Sequence, residues 1–144
     1  MFAASLSRGL GEGGVSAPLV AVQTAGCAPL ARAWSLANDS SQGWATDWTN
    51  FMWPWEKEPV SLADGILDDE TYDWVADFTE LRRTHGRVVV APEADVIAAS
   101  SLVPQATGVS ASPTGTAGVA GLITDTRERG GVGDVLVVLS GILR

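Results

Sequence analysis

The sequence predicts an α/β protein in which helices cover both faces of a mostly parallel sheet, a three-layer αβα arrangement. Residues 19–23, 87–91 and 135–139 are short apolar runs without the polar–apolar alternation of a strand that has one solvated face. Helix-forming segments separate these runs, which is typical of parallel strands joined by crossover helices. Because 144 residues suit one domain, we expect residues 1–144 to form a single domain.

The N-terminal residues predict a helix that has no start signal. Residues 2–10 have a helical composition, but no capping residue precedes them. This pattern is typical of the tail of a helix already under way and indicates a truncated gene product or a reading frame that begins late. A frayed N-terminal helix is the alternative. The glycines of residues 11–16 predict a loop.

A strand, a helix and an aromatic loop are predicted next. Residues 19–23 form the strand and residues 24–26 its exit turn, and a helix over 28–36 carries Pro29 in its first turn, where a backbone N–H is not needed. Residues 42–59 are rich in tryptophan without a clear period, which predicts an ordered loop. Its aromatic side chains could line a substrate or subunit surface, or form a small core under the loop.

The middle of the chain predicts a helix, a strand and a second helix. The acidic residues 68–70 suit a helix start, and His85-Gly86 suits its end after Arg83. Three apolar residues at helical spacing mark its buried face: Trp74, Phe78 and Leu81. The strand over 87–91 is followed by a helix over 93–102.

The last third predicts a short extended piece over 109–111, a helix over 114–129 and the strand over 135–139. Ser112 suits the N-cap of this helix, and Pro113 suits its first position. Glycines three residues apart leave one helix face nearly bare: Gly115, Gly118 and Gly121. Close packing on the sheet is the favoured interpretation, and a phosphate site at the helix N-terminus is the alternative.

Several motifs in this order resemble one enzyme family. Residues 112–122 read Ser-Pro-Thr-Gly-Thr-Ala-Gly-Val-Ala-Gly-Leu, and residues 135–141 read Val-Leu-Val-Val-Leu-Ser-Gly. Upstream lie Val-Gln-Thr-Ala-Gly-Cys-Ala-Pro-Leu-Ala-Arg at 22–32 and Ser-Leu-Ala-Asp-Gly-Ile at 61–66. The two C-terminal motifs resemble the last βαβ unit of fold-type-II pyridoxal-phosphate (PLP) enzymes of the tryptophan synthase β superfamily, especially the threonine-synthase-like branch, and the two upstream motifs are further matches to that family in the right order. The resemblance covers the C-terminal part of such an enzyme, so it implies an α/β fold that is incomplete relative to the full enzyme.

The resemblance implies PLP as cofactor and three cofactor-binding residues, Ser140, Gly141 and Gly65. In the family, the Ser or Thr of the Ser/Thr-Gly element hydrogen-bonds the pyridine nitrogen, and backbone from the Gly65 turn lies beside the ring. A hydroxyl cannot hold that nitrogen protonated, which suits elimination and replacement at the β or γ carbon of an amino acid. The alternatives are a serine that caps a turn after a strand and, for Asp64, a simple turn residue.

The resemblance also implies that this chain is not active alone. The family's Schiff-base lysine and glycine-rich phosphate loop lie N-terminal to every matched motif. The chain has one lysine, Lys57, and no matching motif surrounds it, so we assign no catalytic residue. Where many relatives carry Glu before the proline of the glycine-rich helix, this chain has Ser112.

Three hypotheses follow for the function. The first is the C-terminal segment of a threonine-synthase-like lyase or synthase, either a fragmentary gene product or one half of a split protein. Its partners would be the N-terminal portion of the same enzyme or another copy of the chain, and an amino acid would be the substrate. The second is a non-catalytic α/β interaction module that retained the fold. The third is a PLP-binding protein without covalent attachment of the cofactor.

Charge and composition argue against other classes of function. A net charge of −8 and the lack of a basic cluster beyond Arg82-Arg83 argue against nucleic acid and anionic membranes as partners. The single Cys27 suits a reducing cytoplasm; it could be a thiolate at a helix start, although a buried small residue is favoured. No metal site is predicted around His85, and the acidic residues of 68–77 are read as a helix start.

Overall fold

The computed structural model describes residues 2–39, 43–44, 47–131 and 133–143 and confirms the α/β class. The elements within this part of the chain are α1 (Phe2–Glu12), β1 (Val20–Thr24), α2 (Pro29–Asp39), α3 (Trp74–Arg83), β2 (Arg87–Ala91), α4 (Glu93–Thr107) and α5 (Pro113–Arg129). Two short 3-10 turns add Trp48–Asn50 and Asp64–Ile66.

The two described strands form a parallel pair. The N–H of Arg87 donates to the carbonyl oxygen of Leu19 at 3.0 Å, and the N–H of Ala25 donates to that of Ala91 at 2.9 Å. Because the partners advance in the same direction along both strands, the pair is parallel. The predicted strand over 87–91 is confirmed at both ends, and β1 begins one residue later than expected.

The chain divides into two compact units, each with its own apolar core. The first contains α1, α2 and α3, and the predicted buried face of α3 is confirmed because Trp74, Phe78 and Leu81 are fully buried. The second contains α4 and α5 with residues 22–28 and 55–69. Its core consists mainly of small side chains, among them Ala63, Ala91, Ala99, Ala117 and Ala120.

Part of the tryptophan-rich segment belongs to the core of the first unit. The ring of Trp44 lies 5.9 Å from that of Trp74 and 5.3 Å from that of Phe78, measured between centroids. Trp53 lies under the guanidinium of Arg32, at 3.9 Å. These contacts favour the small-core interpretation for the described residues of 42–59; residues 42, 45 and 46 lie outside the described chain.

The predicted start of α3 is wrong, and its predicted end is confirmed. Residues 68–70 are not helical, since the carbonyl oxygen of Asp68 accepts from the Cys27 thiol and that of Asp69 from the Trp55 N–H. At the other end, His85 adopts a left-handed φ of 54°, and the N–H of Gly86 donates to the Leu81 carbonyl at 2.7 Å. This bond pattern closes the helix in a Schellman motif.

Helix α4 is longer than predicted. It continues through Pro104 to Thr107 and ends at Gly108, whose left-handed φ of 72° stops it. The sequence predicted an end at residue 102, two residues before Pro104, and proline is unfavourable inside a helix.

The strand predicted over 135–139 is not present as a strand. Residues 135–140 form no backbone hydrogen bond with the described chain, and a strand exists only when a neighbour completes its ladder. The segment is nevertheless packed, because Val137 lies against Gly118 of α5. The extended piece predicted over 109–111 contributes one antiparallel bridge, between Ala111 and Ile142.

Among the described residues, no helix is both long enough and apolar enough to cross a membrane.

Candidate functional site

The first turn of α5 contacts two of the predicted site residues, Gly141 and Gly65. Ser112 caps the helix as predicted: its Oγ accepts the N–H of Gly115 at 3.1 Å, and Pro113 occupies the first position. The carbonyl oxygen of Ser112 accepts the N–H of Thr116 at 2.9 Å. The cap fixes the direction in which the chain enters the helix.

Gly141 packs directly against this turn. The N–H of Ser112 donates to the carbonyl oxygen of Gly141 at 3.1 Å. A Cβ atom added to Gly141 would lie 2.7 Å from the Oγ of Ser112, and one added to Gly115 would lie 2.1 Å from the Gly141 oxygen. Gly115 therefore requires glycine, because the backbone of Gly141 leaves no room for a side chain, and a side chain at Gly141 would displace the capping hydroxyl of Ser112.

The Gly65 turn reaches the same helix start from another part of the chain. The N–H of Gly65 donates to the Oγ1 of Thr114 at 3.0 Å, and that hydroxyl lies 3.4 Å from a carboxylate oxygen of Asp64. A Cβ atom on Gly65 would lie 2.9 Å from the Cγ2 of Thr114. The structure thus gives Gly65 a packing reason that the sequence did not reveal. Thr114 itself was missed, and its only signal was a hydroxyl in the first turn of a capped helix.

Ser140 precedes Gly141 and is exposed. Its hydroxyl has no hydrogen-bond partner in the described part of the chain, so it is available to a ligand. A free hydroxyl beside a backbone held by the helix cap is a donor suited to a heteroaromatic nitrogen. The residues at this position therefore fit the ring of PLP.

An ion pair between a buried carboxylate and an exposed guanidinium joins α5 to α4. The carboxylate of Asp95 accepts two hydrogen bonds from the guanidinium of Arg127, at 2.9 and 2.6 Å, and one from the Thr124 hydroxyl at 2.7 Å. The hydrogen bonds from Arg127 hold the pKa of Asp95 below its usual range, against the opposing effect of burial. The pair connects the helix that carries the site to a neighbouring rigid element.

Glu93 holds the segment that leads into the Gly65 turn. Its Oε2 accepts the Ser61 hydroxyl and its Oε1 accepts the Leu62 N–H, both at 2.7 Å. These residues border an open cleft that follows the carboxyl ends of β1 and β2. The cleft is lined by Ala25, Gly26, Val60, Ser61, Leu62, Glu93 and Ile97.

The remaining candidate residues do not join the site. Cys27 is fully buried and donates to the Asp68 carbonyl, which favours its packing interpretation. Lys57 is exposed in the loop between residues 55 and 60. Within the described ranges, no group of three or more His, Cys, Asp or Glu side chains could hold a metal ion.

Comparisons with known proteins identify the family and the fold. The family model described as "Pyridoxal-phosphate dependent enzyme" matches residues 2–141. No curated protein matches the chain. Among solved structures, a threonine deaminase from T.th. superposes with a TM-score of 0.62 at 17% identity. The match covers 88% of this chain and 39% of that one, so the chain spans well under half of the solved enzyme, and the likeness concerns the fold.

Proposed function

Because the chain belongs to the pyridoxal-phosphate-dependent enzyme family, we propose that it supplies the wall of the cofactor pocket that contacts the pyridine ring. Ser140 donates its hydroxyl to the ring nitrogen, while Gly65 and Gly141 place backbone beside the ring. The first turn of α5 supports this proposal, because it binds the Gly141 carbonyl through Ser112 and the Gly65 N–H through Thr114.

PLP, when bound, acts as an electron sink for reactions at the carbons of an amino acid. The residues of this chain orient the cofactor rather than transfer protons. A hydroxyl at Ser140 would leave the ring nitrogen unprotonated, which favours elimination and replacement over transamination. The proposed reaction is therefore that of a threonine-synthase-like lyase or synthase acting on an amino acid.

The rest of the pocket is proposed to come from other polypeptide. The chain spans 39% of the length of the solved threonine deaminase, and its exposed Lys57 makes no hydrogen bond to the described residues of the site. The proposed partner is the N-terminal portion of the same enzyme or another copy of the chain, in the cytoplasm. On this proposal the chain is not active alone.

Binding of pyridoxine 5′-phosphate tests the proposal. This probe retains the ring nitrogen and phosphate of PLP but has no aldehyde, so it does not react with surface amines. Equilibrium dialysis should show saturable binding that Ser140→Ala weakens by about fivefold, the value of one hydrogen bond. Ser16→Ala, at another exposed serine, should bind like the wild type. Equal affinity of Ser140→Ala and wild type, or no binding by the wild type, contradicts the proposal.

A second function is favoured by the apolar surface near the C-terminus. Leu136 and Ile142 are each 71% exposed and Leu143 is 60% exposed, which suits a non-catalytic α/β module that binds another protein. Pyridoxine 5′-phosphate binding distinguishes the two functions, because an interaction module should not bind this probe. A visible PLP band that Lys57→Ala abolishes would show that Lys57 binds the aldehyde, contrary to the sequence prediction.

A further inference from the structure

The geometry points to Glu93 as the residue that positions the Gly65 turn against α5. This inference rests on the proposed function, in which Gly65 borders the cofactor ring, and it concerns a residue outside every motif that carried the family resemblance. Glu93 is a positioning residue, because it reaches the site through the backbone of residues 61–65 rather than by contact with a ligand.

Glu93 lies in the first turn of α4, which is held in place by its neighbours. It opens α4 directly after β2 and Pro92, whose carbonyl oxygen accepts the N–H groups of Asp95 at 2.9 Å and Val96 at 3.3 Å. The buried Asp95 is in turn held to Arg127 of α5, and Val96 is fully buried. The first turn of α4 therefore has little freedom to move.

Both carboxylate oxygens of Glu93 are committed to the segment before the turn. One accepts the Ser61 hydroxyl and the other accepts the Leu62 N–H, each at 2.7 Å, a distance typical of a hydrogen bond to a charged group. The Ser61 oxygen in turn accepts the Ala63 N–H at 3.2 Å. The Glu93 carboxylate thus fixes two successive backbone N–H groups, that of Leu62 directly and that of Ala63 through the Ser61 hydroxyl.

The same segment is held at its far end by α5. Ala63 is fully buried, its carbonyl oxygen accepts the N–H of Ile66 at 3.3 Å, and Gly65 donates to Thr114. Residues 61–66 therefore form a bridge with Glu93 of α4 at one end and Thr114 of α5 at the other. If the Glu93 end were released, Gly65 would lose its register against the helix that carries the proposed ring contacts.

Hydrogen exchange of the full chain, followed by mass spectrometry, tests this role. Glu93→Ala should speed exchange in the peptide spanning residues 61–66 by about tenfold, the value of a hydrogen bond to a charged group. Peptides from α4 and α5 should be unchanged. Glu93→Gln keeps an acceptor for the Leu62 N–H and should restore most of the protection. Glu128→Ala, an exposed glutamate of α5, is the matched control and should change nothing.

A second substitution separates positioning from general loosening. Thr114→Ala removes the opposite tether and should also speed exchange at residues 61–66. The double variant should speed it by less than the product of the two single effects, because both tethers hold the same segment. Unchanged exchange in Glu93→Ala, or equal acceleration throughout α4 and α5, overturns the inference. A wild-type chain that binds no pyridoxine 5′-phosphate overturns the proposed function alone, and exchange at residues 61–66 still decides the role of Glu93.

Discussion

Gly115 and Gly141 are in backbone contact: a Cβ atom on Gly115 would lie 2.1 Å from the Gly141 carbonyl oxygen and 2.7 Å from its nitrogen. The helix that carries the site is therefore joined to the Ser140-Gly141 segment without an intervening side chain. This closeness explains the first glycine of the glycine-striped helix, and the same reasoning extends to Gly121, where a Cβ atom would lie 2.3 Å from a methyl group of Val22.

Gly115→Ala is expected to lower the free energy of unfolding by about 2 kcal/mol, since the new methyl group must displace backbone rather than a flexible side chain. Gly9→Ala is the matched control. Gly9 also lies within a helix, and no atom of the described residues lies within 4 Å of a Cβ atom added there. That control should stabilise the chain by about 0.5 kcal/mol through helix propensity. Urea unfolding measures both, and equal effects of the two substitutions would contradict the packing argument.

Asp95→Asn is expected to reduce the free energy of unfolding at neutral pH by about 1 kcal/mol, because Arg127 and Thr124 lose a charged acceptor, while water can solvate the exposed guanidinium. The pKa of Asp95 is lowered in the folded state, so its stabilisation is present above the ordinary aspartate range and is lost as the pH falls through the folded pKa. Urea unfolding at about pH 7 and about pH 3 should therefore show a larger difference between wild type and variant at the higher pH than at the lower one.

Exposed Asp134 supplies the control for this substitution. Asp134→Asn should leave both midpoints close to those of the wild type. A constant difference between wild type and Asp95→Asn at both pH values would show that the pair does not account for the acid sensitivity.

Asp77→Asn is expected to stabilise the chain at neutral pH by about 1 kcal/mol. Asp77 is buried, its Oδ1 has no hydrogen-bond partner among the described residues, and burial raises its pKa. Because the folded-state pKa of Asp77 is raised, the folded chain is more stable when this carboxyl is protonated, and that stability is lost as the pH rises through the raised pKa. Asparagine is neutral at every pH and therefore avoids this loss. Thermal unfolding should show a higher midpoint for Asp77→Asn, whereas Asp69→Asn at an exposed position should not differ from wild type.

The segment 135–140 is expected to cause self-association. Its backbone groups have no partner in the described chain, Val135 is 50% exposed, and Leu136 is 71% exposed. Light scattering should show species larger than a monomer, and Leu136→Lys should reduce them. Tyr72→Lys changes a similarly exposed side chain elsewhere, 70% exposed, and should not. A monodisperse wild-type monomer would count heavily against the fragment hypothesis.

Local patterns in the sequence were sufficient to predict most elements of this chain. The apolar run at 87–91, the Ser112-Pro113 helix start and the buried face of α3 depend on neighbours along the chain, and all three were confirmed. The start of α3 was not predictable in this way. Residues 68–70 have a capping composition, but Cys27 and Trp55 bind their carbonyl oxygens instead, and those partners are distant in sequence.

The sequence by itself determined the α/β class, the order of the elements and the motifs of the family, because propensity, capping and apolar runs act over a few residues. Only the tertiary structure decided which glycines touch backbone, that Glu93 and Thr114 bind residues 61–65, and that 135–139 has no ladder partner in the described part of the chain. Such contacts join residues that are tens of positions apart. These contacts depend on how helices and strands pack against each other, and the order of residues along the chain does not specify that packing.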